Sequence, residues 1–194
     1  MYPAGRLAAH CGDFERTNGD QISKLLSSGA ATLEIHPLPF YANSSAQGTQ
    51  YSLRAANAAA CVANYSPDKF FAFNRLMFQH EPKQTSAGLS DSQIGAYAEQ
   101  AGASPISKIR SCIHNRTYDD WTQNALDRAS KGPLPNSNVK TVSAENLPLV
   151  LVDGQQFTGS ATDASAFRAF IQQAQAEQYS TPTPTPTQTA TPTS

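Results

Sequence analysis

Three cysteines, four histidines and a charged run near the start are the side chains of this 194-residue chain from which chemistry could be built. Cys11, Cys61 and Cys112 form no Cys-x-x-Cys, and none stands at a zinc-ligand spacing from a histidine, so a local metal motif is excluded. Cys11 follows His10. On a strand, neighbouring side chains point to opposite faces, so the two do not make a Cys–His pair. Two readings of Cys11 stay open, a thiol buried in a central strand and a single-cysteine redox or mixed-disulfide site. Asp13-Phe14-Glu15-Arg16-Thr17-Asn18-Gly19 comes next. Arg16 is no nucleophile, because a guanidinium stays protonated at any usable pH. Thr17 has a hydroxyl but no base beside it in the sequence.

Positioning these groups falls to a predicted alternation of strands and helices. Leu7 to Cys11 is a short apolar run read as a strand. Thr17 or Asn18 then caps a helix to about Ser27, with Ile22, Leu25 and Leu26 inward and Gly29 as its stop. Ala31 to His36 alternates apolar and polar residues and ends at Pro37 and Pro39, the pattern of a half-buried strand. The alanine-rich stretch Tyr51 to Asn64 reads as a helix. Asp68 to His80 repeats Phe70, Phe71, Phe73, Leu76 and Met77 at helical spacing, a buried face. Ser90-Asp91-Ser92-Gln93 has capping-box spacing, Pro105 fits the first turn of a further helix, and Tyr118 to Ala129 continues with Trp121, Ala125 and Leu126 on one face. Leu149 to Val152 reads as a strand buried on both faces, Asp153-Gly154 as a hairpin turn, and Asp163 to Ala176 as a last helix.

A hydrophobic content of 39% supports one folded core, and a net charge of -1 leaves no footprint for nucleic acid or an anionic membrane. The cations Arg110, Arg116, Arg128 and Lys131 interleave with Asp119, Asp120 and Asp127, as on a solvated face. No apolar run approaches the ~20 residues that span a bilayer. Residues 180–194 are Thr/Pro-rich, predicting a disordered or polyproline-like tail, either a glycosylated stalk or a bare terminus.

Asp13-Phe14, the strand end at Pro37 and Pro39, the alanine-rich helix with Cys61, Leu147-Pro148 and Asp153-Gly154 together resemble, in order and spacing, the DsbA-like thioredoxin-fold disulfide oxidoreductases. The resemblance covers residues 6 to 175. It implies an α/β chain, a thioredoxin fold with a helical domain inserted after the second strand. The folded unit would be 1–179, with the insertion at about 48–135. In that family a Cys-x-x-Cys opens a helix whose amino terminus favours a thiolate, and a cis proline faces it. Here Arg16 and Gly19 stand at the expected cysteine positions, so the resemblance implies lost dithiol exchange and no catalytic residue.

The surviving frame, Arg16 and Thr17 opposite Leu147 and Pro148, implies a surface for a protein or extended peptide. Cys61 and Cys112 correspond to a structural disulfide of the family, although the residues by themselves leave two buried free thiols open. A disulfide would imply an oxidising compartment. The resulting expectation is a redox-inactive, bacterial, extracytoplasmic binding or sensor module, secreted or membrane-anchored, needing no cofactor or metal. Two rivals stand beside it: a thiol–disulfide oxidoreductase working through Cys11 alone, and a truncated or relic family member. The chain starts a few residues before the first expected strand, where a secreted relative carries its export signal. A truncated start is therefore expected.

Overall fold

Helix α1 (Leu7–Ser27) includes the first expected strand. Leu7 to Cys11 is helical, a correction with a plain cause: Leu and Ala are strong helix formers, and so short an apolar run has no period of its own. Thr17 and Asn18 consequently sit inside the helix and cap nothing. The end of α1 is as expected. Gly29 has φ 71°, and the N–H groups of Ala30 and Gly29 donate to Leu25 O (2.9 Å) and Leu26 O (3.1 Å), closing the last turn. The computed structural model describes residues 7–43, 46–83 and 86–180, so the Thr/Pro-rich tail, beyond Ser180, lies outside the described residues.

Ala31 to His36 is the second correction. It is irregular and pairs with no strand among the described residues, and its side chains are mostly exposed. Glu34 Oε1 and His36 Nε2 meet at 2.9 Å.

Five helices follow: α2 (Tyr51–Tyr65), α3 (Phe70–Gln79), α4 (Asp91–Gln100), α5 (Ile106–His114) and α6 (Asp119–Lys131). They enclose a core of Val62, Phe73, Ile94, Ala98, Ile109 and Ile113. Of the aromatic stripe on α3 only Phe73 is fully buried. The Ser90–Gln93 capping box forms at the start of α4. On α6 the inward residue is Thr122, whereas Trp121 is 53% exposed, so the expected apolar face is rotated by one residue.

Two interactions pin α2 to α5 and α6. Cys61 and Cys112 form a disulfide with Cα atoms 5.9 Å apart. One helical turn away, the fully buried Asn57 donates Nδ2–H to Ile113 O (3.2 Å) and accepts at Oδ1 from Tyr118 N–H (2.8 Å).

The sheet is a hairpin of β1 (Leu151–Val152) and β2 (Gln155–Gln156), with Leu151 opposite Gln156 and Val152 opposite Gln155. Asp153 and Gly154 both have positive φ, the turn their types favour. Phe157 N–H donates to Val150 O at 2.9 Å, extending the pairing by one bond. Both strands are half-buried, not covered on two faces as expected. Helix α7 (Ala164–Ser180) closes the chain, its first turn capped by Asp163 Oδ1, which accepts from Ser165 and Ala166 N–H (3.0 Å each). Phe14, Phe157 and Phe167 form a second core, with Phe167 5.0 Å from Phe14 and 5.2 Å from Phe157 in edge-on contacts.

Replacing Cys61 and Cys112 together by alanine should lower unfolding stability by about 2–4 kcal/mol in urea titrations, since the bridge closes a long loop. Asn57→Ala strands a buried carbonyl and a buried N–H, and should cost about 2–3 kcal/mol in the same measurement.

Candidate functional site

Helix α1 has two working faces, and they decide where its polar residues point. One carries Phe14, Asn18 and Ile22 toward the hairpin and α7. Asn18 is fully buried, donating from Nδ2 to Phe14 O (3.1 Å) and Ala161 O (3.2 Å), while Gln21 Nε2–H donates to Ala164 O (3.2 Å). The other face is opened by two glycines and receives charged side chains. A Cβ on Gly19 would lie 2.9 Å from Arg75 Nε and 3.1 Å from Glu15 Oε1. One on Gly12 would lie 2.5 Å from Glu81 Oε2 and 2.8 Å from Arg16 Nη1. Gly19 is therefore a packing position between α1 and α3.

The expected helix start near Arg16 and Thr17 is not where this geometry puts it. Arg16 and Gly19 lie nine and twelve residues beyond Leu7, inside α1 and far from a helix amino terminus. Arg16 has structural work of its own: Nη2 pairs with Asp13 Oδ1 at 2.5 Å and Nη1–H donates to Phe78 O at 3.2 Å. It thus places a cation on the carboxyl-terminal turn of α3, where the helix dipole favours one. Thr17 is half-buried.

Pro148 is cis, and the segment before it reaches α1. Leu147 and Pro148 border a cavity with Asp13, Phe14 and Phe157. Leu147, extended at φ -87° and ψ 146°, also borders a second, mainly apolar cavity of about 310 Å³ with Cys11, Tyr41, Phe73, Met77 and Glu81. Neither Arg16 nor Thr17 is among the described residues lining these cavities. Pro148 thus shares the first cavity with Asp13 and Phe14 of α1, and Leu147 shares the second with the thiol of Cys11.

Cys11 is half-buried on a helix, not in a sheet, and is the one free cysteine among the described residues. Burial, and then the Glu81 carboxylate, push its thiol up to about 12. Glu81 itself is pushed up to about 7, by burial, with Arg16 opposing the rise and Asp13 adding to it. Burial and then Cys11 also raise Tyr41, whose Oη is buried without a hydrogen-bond partner among the described residues. Burial also raises Glu15, against the pull of Arg75, its partner at 3.7 Å. Sequence reasoning missed Tyr41 and Glu81, which lie in irregular segments without periodicity. The signal available was a tyrosine and a glutamate each beside prolines that end an element. No group of three or more potential metal ligands gathers among the described residues, and no described helix is long and apolar enough to cross a membrane.

The low reactivity of this thiol is directly measurable. A thiol pushed up to about 12 carries over ~100-fold less thiolate at mildly alkaline pH than an ordinary cysteine. Iodoacetamide should modify native Cys11 more than ~100-fold more slowly than it modifies the unfolded, unreduced protein, and mass spectrometry would follow both.

Comparisons place this geometry among known folds. The sequence profile of a family described as Thioredoxin matches residues 9–173. Among solved structures, the reduced disulfide bond oxidoreductase DsbG of Mycobacterium tuberculosis is similar at 26% identity and a TM-score of 0.66, over 84% of this chain and 71% of that one. Oxidised DsbA of M. tuberculosis gives 26% identity and 0.65, over 84% and 76%. Reduced DsbA from the same organism gives 24% and 0.63, over 84% and 82%. A search of curated proteins found no match. With a profile match spanning most of the chain and a cis proline beside the helix carrying Cys11, this protein belongs to the thioredoxin family and has the DsbA-like form of its fold, a thioredoxin fold with an inserted helical unit.

Proposed function

We propose that this chain is a DsbA-like binding domain without dithiol activity, holding an extended protein segment in the groove between α1 and Leu147. One observation carries the reading. Two of three thiols are locked together as Cys61–Cys112, and the third faces an apolar cavity with its proton held. Thiol–disulfide exchange needs an attacking thiolate and a second thiol to resolve the mixed disulfide. Cys11 supplies neither pair nor thiolate. Among the relatives, DsbG is a disulfide bond oxidoreductase. What this chain retains of such a protein is the frame around a peptide: an extended Leu147 at the groove edge supports pairing by strand addition.

The family's dithiol site is better placed at Ala8 and Cys11 than at Arg16 and Gly19. Ala8 precedes Cys11 by three residues in the first described turns of α1, so Cys11 stands where a resolving thiol would, with its attacking partner missing. The Cys61–Cys112 bridge supports an oxidising, extracytoplasmic setting, where such bonds persist.

The protein should not reduce insulin above the rate of a Cys11→Ser variant. Ala8→Cys should create a Cys-x-x-Cys with Cys11 that closes to a disulfide on mild oxidation and gains insulin reduction. The double change Arg16→Cys with Gly19→Cys should gain none. Turnover by the unaltered protein that disappears in Cys11→Ser would overturn the reading and make Cys11 a monothiol enzyme. Activity in the Arg16/Gly19 double variant would restore the register expected from the sequence.

A further inference from the structure

The cavity bounded by Cys11 and Leu147 is mainly apolar, yet two polar groups on it lack what buried polar groups normally have. Tyr41 Oη is buried with no hydrogen-bond partner among the described residues. A buried hydroxyl left unpaired is costly, and such atoms mark places where a partner is missing. Glu81 lies against Gly12 beside Arg16, but Arg16 gives Nη2 to Asp13 and Nη1–H to Phe78 O. One guanidinium thus serves two carboxylates, and Asp13 holds the short contact.

We propose that Tyr41 and the protonated carboxyl of Glu81 are the two donors with which the groove reads carbonyl oxygens of an extended, uncharged, apolar peptide segment, so that filling it takes up a proton. This rests on the groove reading above and adds what the groove selects. The charge around it argues for an uncharged occupant. The lining is mainly apolar, Asp13 and Arg16 beside it pair with each other, and with Glu81 protonated Lys83 is the one lysine or arginine on the described lining, too little to select an anion. The chemistry argues for acceptors, since a tyrosine hydroxyl and a neutral carboxyl both donate, and peptide carbonyls recur along an extended chain. Leu147, extended at the rim, supplies an edge against which such a chain can lie.

The groups facing Glu81 come from several elements. Helix α1 contributes Cys11, Asp13 and Arg16; the segment before α2 contributes His36 and Tyr41; α2 contributes Tyr51, with Arg54 beside it; and Lys83 follows in the same stretch. Displacing water from this cavity removes solvation that the carboxylate needs and raises its proton affinity further. The sign follows. Glu81 is pushed up to about 7 in the empty groove, so occupancy is favoured below that pH and lost as pH rises through it.

A thiol-free heptapeptide of alternating leucine and serine, acetylated and amidated, is the probe, titrated calorimetrically into the full chain near pH 6 and near pH 8. Its affinity should fall about tenfold between the two, with net proton uptake shown by buffers of different ionisation enthalpy. Glu81→Gln, whose amide still donates, should bind at both values as the unaltered protein does near pH 6. Tyr41→Phe should weaken binding about five- to tenfold at both. Histidine is the other residue type that changes charge in this range, so His36→Asn is the control and should leave the profile in place. Peptide binding that is flat with pH, or a profile that survives Glu81→Gln or vanishes in His36→Asn, overturns this inference and leaves the groove reading standing. No binding at either pH overturns the groove reading itself.

Discussion

The packing of α1 against two unlike neighbours is the constraint from which the rest follows. On one face Phe14 and Asn18 must meet the edge-on rings of Phe157 and Phe167 and the carbonyl of Ala161. On the other, Gly12 and Gly19 must be small enough for side chains from α3 and its trailing segment to cross. A single helix can satisfy both only if its small and aromatic residues keep to separate stripes, and the spacing Gly12, Gly19 against Phe14, Asn18 does so. With α1 held this way, Cys11 and Leu147 line one mainly apolar cavity.

The electrostatics of that seam explain why the site holds protons. Arg75 reaches Glu15 at 3.7 Å and Asp20 at 2.7 Å, and Arg16 is shared among Asp13, Phe78 O and the neighbourhood of Glu81. Each cation is divided, so burial outweighs pairing at Glu15 and Glu81, and both carboxyls rise. A carboxylate that is buried without a dedicated cation keeps its proton because desolvation penalises the charged form. The same desolvation, with Glu81 beside it, keeps Cys11 a thiol. The cavity is thus mainly apolar, with a thiol and a carboxyl that both hold their protons.

Within the helical unit the stabilising elements are of another kind. Asn57 completes hydrogen bonds to Ile113 and Tyr118, and the Cys61–Cys112 bridge joins the same helices a turn away. A satisfied buried amide and a covalent link hold α2 to α5 and α6, which leaves the groove side of α2, with Tyr51 and Ala55, free to line a cavity without loosening the core.

Much of this was legible in the residues. The capping box at Ser90, the turn at Asp153-Gly154 and the helix stop at Gly29 are local patterns, each fixed within a few residues. The Cys61–Cys112 pairing came from resemblance and is present. The sequence by itself also determined that no Cys-x-x-Cys exists anywhere in the chain. It could not determine that Leu7 to Cys11 is helical, because five apolar residues carry no period, nor that Ala31 to His36 lacks a partner strand, because pairing depends on residues far along the chain. That error put the start of α1 near Thr17 instead of at or before Leu7. Only the tertiary structure decided that Tyr41, Glu81, Cys11 and Leu147 share one cavity. Their proton affinities arise from mutual burial and a shared guanidinium, properties of packing in space that no spacing along the chain encodes.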